Sequence, residues 1–138
     1  MGLYFCIFDD HEDEVDAVEI GTYADYARFT ETVTREVESG KLGSVCPMLT
    51  LHHDSDGTWS AEDCQKLLDE LRVIEEVFRQ KPPKPFDVDW MREVAIERGL
   101  SSKSLYECFI DIEGDFLVER LKSLCQTSIQ TGHPIVFQ

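Results

Sequence analysis

Leu3-Tyr4-Phe5-Cys6-Ile7-Phe8, then Asp9-Asp10-His11-Glu12-Asp13-Glu14-Val15-Asp16, then Ala17-Val18-Glu19-Ile20 is the stretch on which the fold turns. Its first six residues are an apolar run rich in Tyr, Phe and Ile, which reads as a buried strand. A nearly unbroken acidic segment follows. From Val15 to Ile20 apolar and acidic residues alternate (Val15, Ala17 or Val18, Ile20), the period of a second strand with one buried face. The two strands are expected to pair as a hairpin with the acidic segment at its tip.

Working outward, Thr22 with Asp25 three residues later makes a capping box in which Asp stands where Glu is usual. The helix behind it runs to about Glu38, with Tyr23, Tyr26, Phe29, Val33 and Val37 on one stripe, and Ser39-Gly40 stops it. Pro47 to His53, carrying Met48, Leu49 and Leu51, reads as a third strand, with Asp54-Ser55-Asp56-Gly57 as a turn. Ser60 and Asp63 cap a second helix that reaches about Gln80 and carries Cys64, Leu67, Leu68, Leu71, Ile74 and Phe78 on its apolar stripe. Lys81-Pro82-Pro83-Lys84-Pro85 cannot continue a helix and is expected to be an extended connector. A shorter helix follows, with Asp87 as N-cap and Gly99 as its left-handed closing residue.

Tyr106 to Ile112 alternates Tyr106, Cys108, Ile110 and Ile112 against Glu107, Phe109 and Asp111, which reads as a fourth strand. Gly114 turns the chain into a last helix carrying Phe116, Leu117, Leu121, Leu124 and Cys125. Gly132 ends it, and Pro134 to Phe137 makes a closing strand. The order β-β-α-β-α-α-β-α-β predicts an α+β fold of the α/β-sandwich kind. A mixed sheet of about five strands would carry three long helices and one short helix. Residues 1–138 are expected to form one domain, since neither side of the proline-rich stretch is clearly large enough to stand alone, and a chain of this length can bury about 68% of its unfolded surface.

The 28 acidic side chains outnumber 13 basic ones and leave a formal charge of −15. That balance opposes a nucleic-acid partner, because affinity for a phosphate backbone rests on Lys and Arg. No apolar run approaches the ~18 residues of a membrane span, and Met1 to Phe8 lacks the basic flank and length of a signal segment, so the expected compartment is the cytoplasm. The five cysteines, Cys6, Cys46, Cys64, Cys108 and Cys125, include no C-x-x-C pair and are odd in number. They read as reduced core residues.

Phosphate-loop, dinucleotide, nucleophile-elbow and zinc-protease signatures are all absent, and no cofactor is expected. The richest polar cluster is His52-His53-Asp54-Ser55-Asp56-Gly57. Successive strand residues point to opposite faces, so His52 and His53 do not readily share an ion. An EF-hand reading fails as well: Gly57 stands at the fourth loop position rather than the sixth, and Gln65 takes the place of the bidentate Glu. A small metal-dependent hydrolase centred on this segment is the alternative from another functional class, and a generic acidic binding module is a third. Trp59 and Trp90, each near a helix start, are expected to pack and fix the entry of the chain.

Charge distribution is the more informative feature. Residues 1–38 hold eleven acids against Arg28 and Arg35, a balance of −9. An acidic surface of this kind suits docking to a basic partner, because opposed charge raises encounter rates and penalises wrong partners.

Several segments together carry a resemblance. They are Met1-Gly2-Leu3-Tyr4-Phe5-Cys6-Ile7-Phe8, Val18-Glu19-Ile20-Gly21-Thr22-Tyr23-Ala24-Asp25, Leu51-His52 with Asp54-Ser55-Asp56-Gly57-Thr58-Trp59-Ser60, Tyr106-Glu107-Cys108-Phe109-Ile110-Asp111, and Pro134-Ile135-Val136-Phe137-Gln138. With them the chain resembles the bacterial polymorphic-toxin immunity proteins, most closely the family numbered seventy. The resemblance implies a small cytoplasmic protein, made beside a secreted or contact-delivered toxin, that binds and neutralises it without catalysis. It carries over no catalytic residues. The acidic segment is the contact candidate on charge alone: Asp9, Asp10, Glu12, Asp13, Glu14 and Asp16, with Tyr23 and Tyr26 as aromatic neighbours. The expected partner is the cognate toxin domain, a basic nuclease being one candidate. Oligomeric state is left open.

Overall fold

The computed structural model describes residues 2–52, 57–86 and 88–138. Strand β1 (Leu3–Phe8) and strand β2 (Glu14–Gly21) form the expected antiparallel hairpin. Helix α1 (Tyr23–Glu36), helix α2 (Pro47–Thr50) and strand β3 (Thr58–Trp59) come next. Helices α3 (Ala61–Arg79) and α4 (Asp89–Arg98) flank the proline connector, and a 3₁₀ turn (Leu105–Cys108), helix α5 (Leu117–Thr131) and strand β4 (Ile135–Phe137) complete the chain. The sheet has the order β2-β1-β4-β3 and every neighbouring pair is antiparallel.

The α+β class therefore holds, while the mixed sheet of about five strands does not. Pro47 to His53 was expected as a strand, but Pro47–Thr50 folds as α2, with Leu51 as its C-cap. Proline at the first helical position pre-sets the helical φ, and two glutamates satisfy the helix's free amides. Glu38 accepts from the N–H groups of Val45 and Cys46, and Glu70 accepts from those of Met48 and Leu49. Tyr106 to Ile112 was also expected as a strand. Its burial alternates only as far as Ile110, since Asp111 is buried and Ile112 is not, and the backbone curls into the 3₁₀ turn because Glu107 reaches back to accept from the Lys103 N–H and the Ser104 hydroxyl. Only the Ile110–Phe116 bridge there is strand-like. The sheet's actual third strand in sequence, β3, falls just after the segment expected as a turn, where Trp59 pairs with Ile135. The turn residues Asp54, Ser55 and Asp56, and the expected N-cap Asp87, lie outside the described residues. Val88 occupies the N-cap position of α4.

The three long helices and both capping boxes stand where periodicity put them. Thr22 and Asp25, and Ser60 and Asp63, each exchange the two reciprocal bonds of the box. Their apolar stripes meet the inner face of the sheet in one contiguous core that includes Leu3, Phe5, Ile7, Val18, Phe29, Leu71 and Leu124. Phe5 sits at its centre, edge-on to Tyr26 and Trp59 with ring centroids 5.3 Å away in each case. Such pairs add roughly 0.5–1.5 kcal/mol each beyond the area they bury. Trp59 is fully buried and donates its indole N–H to the Met48 carbonyl, so the expected packing role is what it performs. Trp90 donates to Asp25 and ties α4 to the start of α1. Gly21, at φ +120°, allows that approach: a Cβ there would lie 2.9 Å from the Trp90 ring and 2.5 Å from Asp25 Oδ2. All five cysteines are free and buried.

Candidate functional site

The β1–β2 turn is built by one aspartate. Asp9 Oδ1 accepts from the N–H groups of His11 (2.8 Å) and Asp13 (3.0 Å), the geometry of an Asx turn. Backbone bonds from Asp9 N–H to the Asp13 carbonyl and from Glu12 N–H to the Asp9 carbonyl close the loop. Glu12 takes the left-handed conformation, φ 64°, that such a tight loop requires. The carboxylates of Asp10, Glu12, Asp13 and Glu14 are thereby held outward on an ordered turn. Asp10 is 89% exposed and approaches the His133 ring at 3.9 Å. Among the described residues no Lys or Arg stands within ion-pair distance of these four groups.

Asp16 differs from its neighbours. A register shift between Ile7 and Phe8 sets two residues of β2 against one of β1, the arrangement of a β-bulge. Past the bulge Asp16 leans towards α5, where Arg120 donates to it (3.2 Å) and to the Ala17 carbonyl (2.8 Å). The same guanidinium lies 3.8 Å from Asp111, a buried carboxylate that accepts from the Glu113 and Asp115 N–H groups. Burial raises the Asp111 pKa, and the Asp115 charge adds to that rise against the pull of those hydrogen bonds.

These contacts shape a groove along the outer edge of β2, about 440 Å³, lined by Tyr4, Glu14, Asp16, Glu19, Glu113 and Arg120 among others. Glu19 faces Tyr4 across the β1–β2 pair, and its carboxylate pushes the Tyr4 pKa up. Sequence reading did not find Glu19, Glu113 or Tyr4 as neighbours of the acidic loop. The bulge changes which β2 residues share a face, and Glu113 arrives from a turn nearly a hundred residues away. Only the alternation of β2 after the bulge could have signalled Glu19.

The two tyrosines expected beside the loop are elsewhere. Tyr26 is a core residue, 6% exposed. Tyr23 is 46% exposed but follows the far end of β2, roughly 25 Å of strand from the loop. His52, the one described histidine of the polar cluster read as an alternative metal site, packs its ring against Trp59 and Phe137 (4.8 and 5.0 Å) while its Nε2 lies 2.8 Å from the Thr58 carbonyl oxygen. His53, Asp54 and Asp56 lie outside the described residues. Among the described residues no group of three His, Cys, Asp or Glu side chains is placed to hold a metal ion. Among them, too, no helix is long and apolar enough to cross a membrane.

A search of curated proteins and of solved structures returns no match. The family model described as immunity protein 70, however, matches residues 3–137, from the first residue of β1 to the last of β4. Covering the hairpin, the five described α-helices and the closing strand, that match establishes that the chain belongs to the immunity protein 70 family.

Proposed function

We propose that this protein is a non-catalytic inhibitor in the cytoplasm that binds and neutralises a cognate bacterial toxin by charge-complementary docking through its acidic hairpin. Membership of an immunity protein family supports the role. The observation that carries the docking surface is the Asp9-braced turn, which presents Asp10, Glu12, Asp13 and Glu14 without a neutralising Lys or Arg among the described residues. A preordered loop loses little conformational entropy on binding, and uncompensated carboxylates attract a cationic partner from a distance. Glu19 would extend the contact along the β2 groove, and Asp16, paired with Arg120, would line its floor.

Co-expression with the toxin domain encoded beside it is the test. The expected result is survival of the host and recovery of a stoichiometric complex, both lost when Asp10, Glu12 and Asp13 are all replaced by Lys. Failure of the unaltered protein to protect or to bind would refute the immunity reading. Full protection by the triple variant would refute only the surface.

A further inference from the structure

Helix α1 has a second face beside its core stripe. Arg28 and Arg35, seven residues apart and so on one side of the helix, look across a cavity of about 260 Å³ towards the proline connector and α4. They are also the only two cations in residues 1–38. Lys84 stands on the opposite wall, and Met91, Leu105 and Phe109 supply apolar surface between them.

Of the three cations on the wall, Arg28 is paired with an acid of the wall, while Arg35 and Lys84 keep donors open. Asp25 is 5% exposed and already committed, accepting from the Thr22 N–H and the Trp90 indole while pairing with Arg28. Arg35 reaches Glu36 only through Nε, at 3.4 Å, which leaves its terminal nitrogens open to another acceptor. Among the described residues no carboxylate lies within ion-pair distance of Lys84. Glu31 is the one remaining acid on the wall. A chain of −15 thus places Arg35 and Lys84 beside an apolar floor at one concave place with mixed polar and apolar walls, and ligand pockets set such apolar surface against a few converging polar groups.

We propose that this cavity binds a small amphipathic monoanion, a carboxylate carried on a single ring system or short acyl chain. The carboxylate would lie between Arg35 and Lys84, and the apolar body against Phe109 and Met91. The volume sits just below the ~300–1,000 Å³ of common ligand pockets, which limits the body's size. The field of the whole chain repels anions and rises with their charge, so a monocarboxylate is favoured over a polyphosphate. The site is separate from the acidic hairpin, and its test needs no toxin.

Sodium 1-naphthoate is the probe, titrated into the full ¹⁵N-labelled chain, with 1-naphthylmethanol as the neutral counterpart. The expected result is saturable binding with a dissociation constant below about 1 mM. Amide shifts should be confined to residues 28–35, 84–91 and 105–109, and the alcohol should bind at least about tenfold more weakly. Arg35→Glu and Lys84→Glu should each weaken naphthoate by a similar factor, with Lys84→Gln intermediate and the overall spectrum preserved. Lys103→Glu, which is not on the cavity wall, should bind as the unaltered protein does. Absence of saturation, equal binding of the alcohol, shifts centred elsewhere, or an equal loss in Lys103→Glu would each overturn the assignment.

Discussion

The Glu38 side chain, in a residue 1% exposed, accepts from the N–H groups of Val45 (3.1 Å) and Cys46 (2.8 Å) and from the hydroxyls of Thr34 and Thr50. Burial alone would raise its pKa, but the bonds from Cys46, Val45, Gly43 and Thr50 outweigh that effect and the net shift is downward. On acidification the unfolded chain therefore takes up this proton first. The stability Glu38 contributes is present above the ordinary glutamate value of ~4.3 and is lost as pH falls through its lower native value. Glu70 runs the other way. Burial, helped by the Glu38 charge, outweighs the bonds from Met48 and Leu49 and raises its pKa, so its contribution is present in acid and lost as pH rises through the native value. Glu38→Gln keeps the shape and one oxygen acceptor, and is expected to cost about 1–3 kcal/mol near neutrality. The deficit should shrink at about pH 3, as read by urea unfolding at the two pH values; an equal deficit at both would contradict this assignment. Neither role could be read from the sequence. Glu38 acts on residues seven and eight positions away, and Glu70 on residues more than twenty away, so both appear there only as negative charges.

The capping boxes were legible because their bonds close within three residues, and the long helices because their apolar stripes repeat over several turns. Strand and helix could not be told apart at Pro47–Thr50 or Leu105–Cys108. Each is four residues long, shorter than the window in which a period can be counted; the first is held by Glu38 and Glu70, distant in sequence, and the second by Glu107 within it, whose side chain folds back on Lys103 and Ser104. The two boxes also share a sequence pattern while differing in what surrounds them. Asp63 bonds only its own helix start, with its oxygen 3.1 Å from the Ser60 N–H. Asp25 bonds the Thr22 N–H at 2.8 Å and also holds the Trp90 indole at 3.1 Å, joining α1 to α4. Asp63→Ala is expected to cost about 1 kcal/mol, the ordinary value of a lost cap. Asp25→Ala should cost about 2–4 kcal/mol because it also orphans a part-buried indole N–H and removes the partner of Arg28. Equal losses in chemical denaturation would show that the α1–α4 tie contributes nothing.

For the whole molecule, the hairpin fold and the concentration of charge at its tip were both readable, because strand, acidic loop and strand are contiguous. The groove beside them was not, since β2, the 111–116 turn and Arg120 of α5 meet only in three dimensions. In the proposed docking, a net charge of −15 with its densest part on a braced turn would steer association electrostatically. The most direct test of that proposal is the rate constant for association with the cognate toxin domain it requires, measured against sodium chloride. The unaltered protein and the Asp10→Lys, Glu12→Lys, Asp13→Lys triple variant should be compared. We expect the unaltered protein to approach ~10⁸ M⁻¹s⁻¹ at low salt and to slow steeply as salt is added. The triple variant should associate at least about tenfold more slowly, with a weaker salt dependence and a dissociation rate changed far less. Identical association rates for the two proteins across the salt series would contradict the account.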